Sequence, residues 1–303
     1  MDNGLKKLLL TGASGFVGRH LIRALAGREF QVFALDSEPP RADWPASVVP
    51  IRADLGDLPS LRVLSGVDWW GVIHLAGISV PGAFTSPGPL LTNLGITLNL
   101  LEALDQGRVL LVSSCHVYAP SREPHREDQP VRPQGLYGLS KHLVEQAASH
   151  YQSKLDVRIA RPFNHIGTDM RPELMIPSLL RRLRGEAAGE DRPVRMLGQN
   201  SVRDFIDVRD VVQAYLAILD LEAPVDKIFN VCTGQGHSIE DLVRTALGLL
   251  GSSRPVQFEN QQNSPDDIPC LVGDPARLTR ACNWTAKYRL KESLEILLGL
   301  GQA

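Results

Sequence analysis

A glycine triplet set between an apolar run and a helical pattern decides more about this chain than any other stretch. Residues 7–11 read as a strand, which stops at Thr11-Gly12-Ala13-Ser14-Gly15-Phe16-Val17-Gly18, and residues 17–26 carry apolar side chains at helical spacing. In such a strand–loop–helix unit Gly12 allows the tight turn, Gly15 a close approach of a bound diphosphate, and Gly18 close packing of helix on sheet. The helix start offers free N–H groups and the positive end of its dipole, which together favour an anion. The spacing is GxxGxxG, and the glycines alone leave a plain strand–helix turn open.

Further short apolar runs alternate with helical patterns. Strands are expected at residues 31–36, 48–53, 71–76, 109–113 and 157–160, and helices at 90–104 and 139–151. Pro50 makes the third strand an edge candidate. Continuous apolar strands separated by helices imply α/β architecture, a Rossmann-like doubly wound parallel sheet. The second half adds helices at 174–183, 208–219 and 239–250, strands at 194–197, 228–231 and 256–258, and two C-terminal helical stretches. The expected organisation is a cofactor domain over 1–162, rejoined by 201–232. A smaller C-terminal substrate-binding lobe comes from 163–200 and 233–303. Proline-bearing segments at 81–89, 120–133 and 260–269 read as long loops, which are often functional.

The second strand ends at Asp36, about 20 residues beyond the last glycine, where a carboxylate can bind both hydroxyls of an adenosine ribose. A 2′-phosphate would meet a like charge there, so NAD is favoured over NADP, with Arg41 near enough in sequence to soften the preference. Asp54 follows the third strand as an adenine contact or as the cap of a helical segment at 57–65.

Tyr137 and Lys141 are one helical turn apart. An ammonium beside a phenol stabilises the phenolate, and the expectation is a tyrosine pKa drawn from about 10 toward neutrality. Ser113 and Ser114 follow the strand at 109–113, at the sheet edge where doubly wound folds bind ligands. A serine hydroxyl there can hold the oxygen of a reacting carbonyl or alcohol.

Composition removes other classes of answer. The 303 residues are 43% hydrophobic and 22% charged with a net charge of -2, so no global basic field exists to hold nucleic acid or an anionic membrane. No apolar stretch approaches the roughly 18 residues of a membrane span, and the apolar run at 8–10 is too short for a signal peptide. Cys115, Cys232, Cys270 and Cys282 are scattered without metal-ligand spacing, which fits a reducing cytoplasm and no metal site. Only seven of the 32 basic residues are lysine, and the arginine excess as a whole reads as compositional bias.

The glycine loop, Asp36, His74-Leu75-Ala76-Gly77, Ser113-Ser114-x-x-Val117-Tyr118 and Tyr137-x-x-x-Lys141 together resemble the extended short-chain dehydrogenases, the nucleotide-sugar epimerase/dehydratase/reductase family. Arg203-Asp204-Phe205-Ile206-Asp207-Val208-x-Asp210-Val211 and Phe229-Asn230-Val231 extend the resemblance over nearly the whole chain. It implies Tyr137 as acid/base, Lys141 on the nicotinamide ribose and Ser114 on the substrate oxygen at C4. It further implies NAD or NADP held by Gly12, Ser14, Gly15, Phe16, Val17, Gly18, Asp36, Asp54, Leu55, Leu75, Ala76, Gly77, Ser113, Tyr137, Lys141 and Pro162. The helices around 94–104 and 139–151 are then expected to build a four-helix bundle in a homodimer.

Within that family, Ala160-Arg161-Pro162-Phe163-Asn164-His165-Ile166-Gly167 is similar to the segment of GDP-4-keto-6-deoxymannose reductases, with Asn164 beside sugar and diphosphate. Val231-Cys232-x-Gly234-Gln235 is similar to that branch as well. Arg203 is expected on the substrate diphosphate, a bidentate task suited to a guanidinium. Arg181, Arg182 and Arg184 read as a solvated face. Cys115 and His116 stand where the dehydratases carry an acidic pair, which argues against 4,6-dehydration; His116 either touches the sugar or orients its loop. Ala119, the Gly135-Leu136 pair and Asn283-Trp284 depart from the family pattern.

The implied reaction is reduction of a nucleotide-linked 4-keto-6-deoxyhexose, GDP-linked by preference. The alternative is a 4-epimerase with tightly bound NAD. A catalytically silent NAD-binding regulator would be expected to have lost part of the tyrosine–lysine–serine set, which is whole here.

Overall fold

The computed structural model describes residues 5–185, 193–259 and 268–301. Most of the loop expected at 260–269 lies outside them. The first half runs β1 (Lys6–Thr11), α1 (Phe16–Leu25), β2 (Phe30–Asp36), β3 (Val49–Arg52), β4 (Gly71–His74), α2 (Gly88–Ala103), β5 (Arg108–Val112), α3 (Gly135–Ala148) and β6 (Asp156–Pro162). The second continues with β7 (Asn164–Ile166), α4 (Met175–Leu183), β8 (Val194–Leu197), β9 (Val202–Asp207), α5 (Val208–Asp220), β10 (Ile228–Val231), β11 (Gly236–Ser238), α6 (Ile239–Leu250), β12 (Val256–Glu259), β13 (Cys270–Leu271), α7 (Ala276–Cys282) and α8 (Leu290–Leu297).

The main sheet has seven parallel strands in the order β10-β6-β5-β4-β1-β2-β3. The expected doubly wound α/β fold is therefore present, with β3 at an edge where Pro50 costs no ladder bond. Strand order reverses between β1 and β4, which opens a crevice at their carboxyl ends. Alternation does the layering: Leu8 and Leu10 face a core shared with α1 and α5, while Leu9 faces a second core shared with α2 and α3. On α1, Leu21, Ile22 and Leu25 form the buried stripe, each contributing roughly 1.5–3 kcal/mol by leaving water.

One buried charge is explained by helix geometry. Arg158 on β6 donates from Nη1 to the carbonyls of Ile218 (2.5 Å) and Leu219 (2.7 Å), and from Nη2 to Asp156 (2.6 Å). A guanidinium at the α5 C-terminus satisfies carbonyls that the helix leaves open and complements its dipole.

Residues 202–207 correct the expectation that all of 201–232 rejoins the main sheet. They form β9, which pairs with β7, β11 and β13 in a second, four-stranded sheet. The return to the main sheet is made by β10, and α5 packs on its face. Three carboxylates on this stretch tie later segments to it. Asp204 accepts from Thr233 N and Oγ1 and from the backbone N–H of Gly234 and Gly273. Asp207 accepts from Ser293 Oγ, and Asp210 from the backbone of Lys287 and Tyr288. A further core joins α4, α6, α8 and β8. Among the described residues no helix is long and apolar enough to cross a membrane, and no cluster of side chains could hold a metal ion.

Candidate active site

The glycine loop is held by space as well as by conformation. Gly12 has φ +68°, and a Cβ there would lie 2.7 Å from the Ala76 nitrogen. A Cβ on Gly18 would lie 2.6 Å from the Ala13 carbonyl oxygen, so α1 reaches its close approach only with glycine. No side chain caps α1 after Gly15, and Ser14 Oγ is buried without a hydrogen-bond partner among the described residues. A bare helix start, a glycine cradle and an orphaned hydroxyl are the donor set that a dinucleotide diphosphate requires. Phe16 turns its ring edge-on to His20 and His165, leaving its backbone to the loop, and Val17 packs into the core.

The neighbouring wall hangs on a histidine relay. Thr97 Oγ1 donates to the Asn93 carbonyl (2.8 Å), so it can only accept from His74 Nε2 (3.0 Å). His74 Nδ1 then accepts from Thr11 Oγ1 (2.7 Å), whose oxygen accepts the Ala76 N–H (3.2 Å). Burial, and secondarily the charge of Lys141, pushes His74 down to about 3, so the ring stays neutral and the relay keeps one direction. This fixes Leu75 and Ala76 beside the loop; Asn93 clamps Ile78 just after Gly77 through both of its amide atoms.

At the end of β2, Asp36 Oδ1 accepts from the Glu38 N–H (3.2 Å). Arg41, expected near it, is instead bonded by Nε to Asp43 (2.9 Å). Asp54 is exposed and closes a turn on the Gly56 N–H (2.8 Å), while the N-cap of the short helical turn at Leu58–Leu64 is Asp57, so Asp54 is not the cap that the alternative reading made it. Leu55 is buried in the α2–α3 core, and its carbonyl is bonded to Asn99.

Helix α3 begins at Gly135, four residues before the expected start, so Tyr137 and Lys141 share one face of its first two turns. Tyr137 meets the rings of Phe84 and His116 edge-on, each at 5.3 Å. The expected lowering of the phenol is not found. Desolvation pushes Tyr137 up to about 12 despite an opposing bond from the Ser114 hydroxyl, and Lys141 spends its ammonium on the Val112 carbonyl (2.9 Å). Desolvation also draws Lys141 down to about 8.

The two serines part company. Ser114 Oγ receives the His116 backbone N–H (3.2 Å) and lies 3.1 Å from His116 Nδ1. Ser113, expected on the cofactor, is turned away: its hydroxyl donates to Glu145 (2.5 Å) in a buried network. Glu145 forms a two-armed pair with Arg161 (2.9 and 2.7 Å), Arg161 donates to Tyr118 Oη, and Tyr118 donates to Asn230 (2.7 Å). The alternation of a strand end explains this, since successive side chains face opposite ways. Cys115 is buried among Val117, Tyr118 and Phe163, and burial pushes its thiol up to about 12.

The second sheet brings its own residues to this edge. The charge of Arg203 on β9 acts on both His116 and Cys115, and burial together with that charge holds His116 at about 4. Arg203 Nη1 also donates to the Val202 carbonyl (2.9 Å). Asn164 on β7 has a buried Oδ1 without a partner among the described residues, and the neighbouring His165 Nε2 is likewise orphaned. Pro162 ends β6 opposite Val231. Of the three arginines expected on a solvated face, Arg181 and Arg182 bond backbone carbonyls of Pro172 and Arg195, and Arg184 that of Leu298.

Sequence reasoning missed Phe84, which covers Tyr137 from the 81–89 loop, and Gly138, where a Cβ would overlap the His116 carbonyl oxygen. The signal for Gly138 was present, as a glycine inside a helix beside the tyrosine. Phe84 had none beyond its place in a proline-rich loop.

Residues 8–232 match the model of the NAD dependent epimerase/dehydratase family. The chain is 33% identical to GDP-6-deoxy-D-mannose reductase of Pseudomonas aeruginosa, over 97% of this chain and 96% of that one. The structure of RMD from Pseudomonas aeruginosa complexed with NADPH superposes with a TM-score of 0.82 at 30% identity, covering 97% of both chains. The Thermus thermophilus UDP-glucose 4-epimerase in complex with NAD gives 0.83 at 27% identity, covering 97% of this chain and 98% of that one. With its glycine cradle, parallel sheet and tyrosine–lysine helix, the chain belongs to the NAD-dependent epimerase/dehydratase family and is an enzyme of the extended short-chain dehydrogenase type.

Proposed function

We propose that this enzyme reduces C4 of a nucleotide-diphosphate-linked 4-keto-6-deoxyhexose, with a GDP-linked sugar preferred. The observation that carries the reading is the meeting of Ser114, His116 and Tyr137 at the sheet edge under the charge of Arg203. Reacting hydroxyls and an anchor for a diphosphate thus stand side by side. The likeness to a GDP-6-deoxy-D-mannose reductase supports the choice of sugar.

A bound nicotinamide supplies the hydride for this chemistry. Residues 12–18 hold its diphosphate, Asp36 the adenosine ribose, and the wall at Leu75, Ala76 and Gly77 the remainder of the dinucleotide. Tyr137 keeps its proton at neutral pH, which suits delivery to the C4 oxygen in the reducing direction. Ser114 holds that oxygen, Lys141 orients the cofactor ribose from the floor beside Val112, and Arg203 with Asn164 binds the diphosphate and sugar. The sheet of β7, β9, β11 and β13, with helices α4, α6 and α8, forms the substrate lobe. Helices α2 and α3 pack together, and α2 leaves Leu91 63% exposed, which supports a homodimer through this pair.

A second reading, a 4-epimerase retaining NAD, is favoured by one feature: the capture of Arg41 by Asp43 leaves Asp36 free to select the ribose hydroxyls. The test is to purify the protein, identify the cofactor that accompanies it, and assay GDP-, dTDP- and UDP-linked sugars with NADH or NADPH. Net oxidation of cofactor by a 4-keto-6-deoxysugar is expected. Interconversion of sugars without net consumption would replace the reductase by the epimerase, and light scattering reports the dimer.

A further inference from the structure

We propose that His116 is the positioning residue for Ser114: its backbone N–H and a protonated Nδ1 occupy both lone pairs of the serine oxygen, so that the hydroxyl's single proton is aimed at the reacting oxygen. This rests on the reading of Ser114 as the group that holds the C4 oxygen.

The geometry is local and unusual in its economy. Ser114 caps the short turn at Cys115–Val117, and that turn folds His116 back so that two of its nitrogens reach one oxygen, at 3.2 and 3.1 Å. A hydroxyl has one proton and two lone pairs. With Nδ1 protonated, both lone pairs are filled from behind and the proton is left facing forward. With Nδ1 bare, the proton is consumed by the imidazole, and Ser114 can then only accept, which is useless to a carbonyl oxygen. Tyr137 stands on the forward side: its ring is 5.3 Å from that of His116, and the Ser114 hydroxyl acts on its phenol in the sense of a donor.

Burial and the Arg203 charge keep the imidazole neutral, so it carries one proton and its placement is a choice between two nitrogens. The Cys115 thiol, 3.7 Å from Nδ1 against 3.1 Å for the Ser114 oxygen, is a weak donor and a weak acceptor and the more distant partner. Tautomer selection by a neighbouring hydroxyl replaces titration: a histidine at this place aims a proton without transferring one.

The tautomer is read directly from protein labelled with 15N-histidine, with the His116 signals assigned by their loss in His116→Asn. The expected spectrum at neutral pH shows a protonated Nδ1 and a bare Nε2. A bare Nδ1, or a ring that titrates near its ordinary pKa, overturns the proposal whether or not a substrate is known. Turnover gives the second arm. His116→Phe removes both side-chain nitrogens and His116→Gln shifts the donor, and each should lower kcat by about tenfold to a hundredfold, the scale of one misdirected donor. His116→Asn places an amide N–H where Nδ1 stood and should recover most of that loss. In a Ser114→Ala background His116→Phe should cost nothing more, because the two residues act as one unit. Equal losses in all three variants, or additive losses in the double variant, would mean that His116 only supports the loop. Melting temperature and cofactor binding confirm folding. Failure of the wild-type protein to turn over any nucleotide sugar would remove the proposed function and leave the spectroscopic result standing.

Discussion

Gly138 lies so close to His116 that a Cβ on it would overlap the His116 carbonyl oxygen, with Pro133 Cβ at 3.0 Å on the flank. The start of α3 is therefore seated on the turn that carries Ser114, and the distance from Tyr137 to Ser114 depends on a missing methyl group. Because the opposing atom is backbone, Gly138→Ala must lift the helix. Displacing a reacting group by about 1 Å costs on the order of a hundredfold in rate, and overpacking costs about 1–3 kcal/mol. The expected result is a large fall in kcat with a modest fall in Tm; unchanged kinetics would show that the helix start tolerates a shift.

Tyr137→Phe removes the hydroxyl proposed to deliver the proton, and little volume. A turnover loss of about a hundredfold to ten-thousandfold is expected, as for other positioned acids and bases. Cofactor binding, measured by fluorescence titration, should be nearly unchanged because the glycine loop and Asp36 are untouched. An active variant would move the acid/base role to another group.

If Asp36 takes the adenosine ribose as proposed, cofactor choice depends on it and on the pairing of Arg41 with Asp43. Asp36→Ala should lower the preference for NAD over NADP by about tenfold or more, the equivalent of 1.4 kcal/mol. Adding Asp43→Ala frees Arg41 and should shift the preference further toward NADP. Ratios of kcat/KM, or of Kd where no substrate is in hand, measure this.

His74 makes stability depend on pH. Its ordinary pKa of 6.5 applies to the unfolded chain, whereas the folded protein holds it at about 3. Below 6.5 the unfolded state takes up a proton that the native state refuses. The contribution is thus fully present above 6.5 and is lost as pH falls toward about 3. Each such group steepens the loss by about 1.4 kcal/mol per pH unit. Urea unfolding of His74→Gln should show lower stability at neutral pH but a flatter decline between pH 6 and 4. An unchanged slope would mean that His74 is charged in the native state.

The chain determines its own layers. Period-two burial on β1, glycine at residues 12 and 18, and the 3.6-residue stripe on α1 are local instructions, and they suffice for a parallel doubly wound sheet. Strand order then carries Gly12, Asp36, His74, Ser114 and Pro162 to one edge, because every parallel strand ends on the same side. Tertiary structure decided what no local pattern states. Strands β7, β11 and β13 are only two or three residues long, and they exist through pairing with β9. Burial from several segments, absent from any window of sequence, raised Tyr137, while Lys141 turned its ammonium to the Val112 carbonyl. It also sent Ser113 to Glu145 and left Ser114 to His116, a division that depends on which face of one strand end meets the core. Sequence periodicity is a property of neighbours along the chain, whereas desolvation and charge are properties of neighbours in space, and the chemistry of this site depends on the second kind.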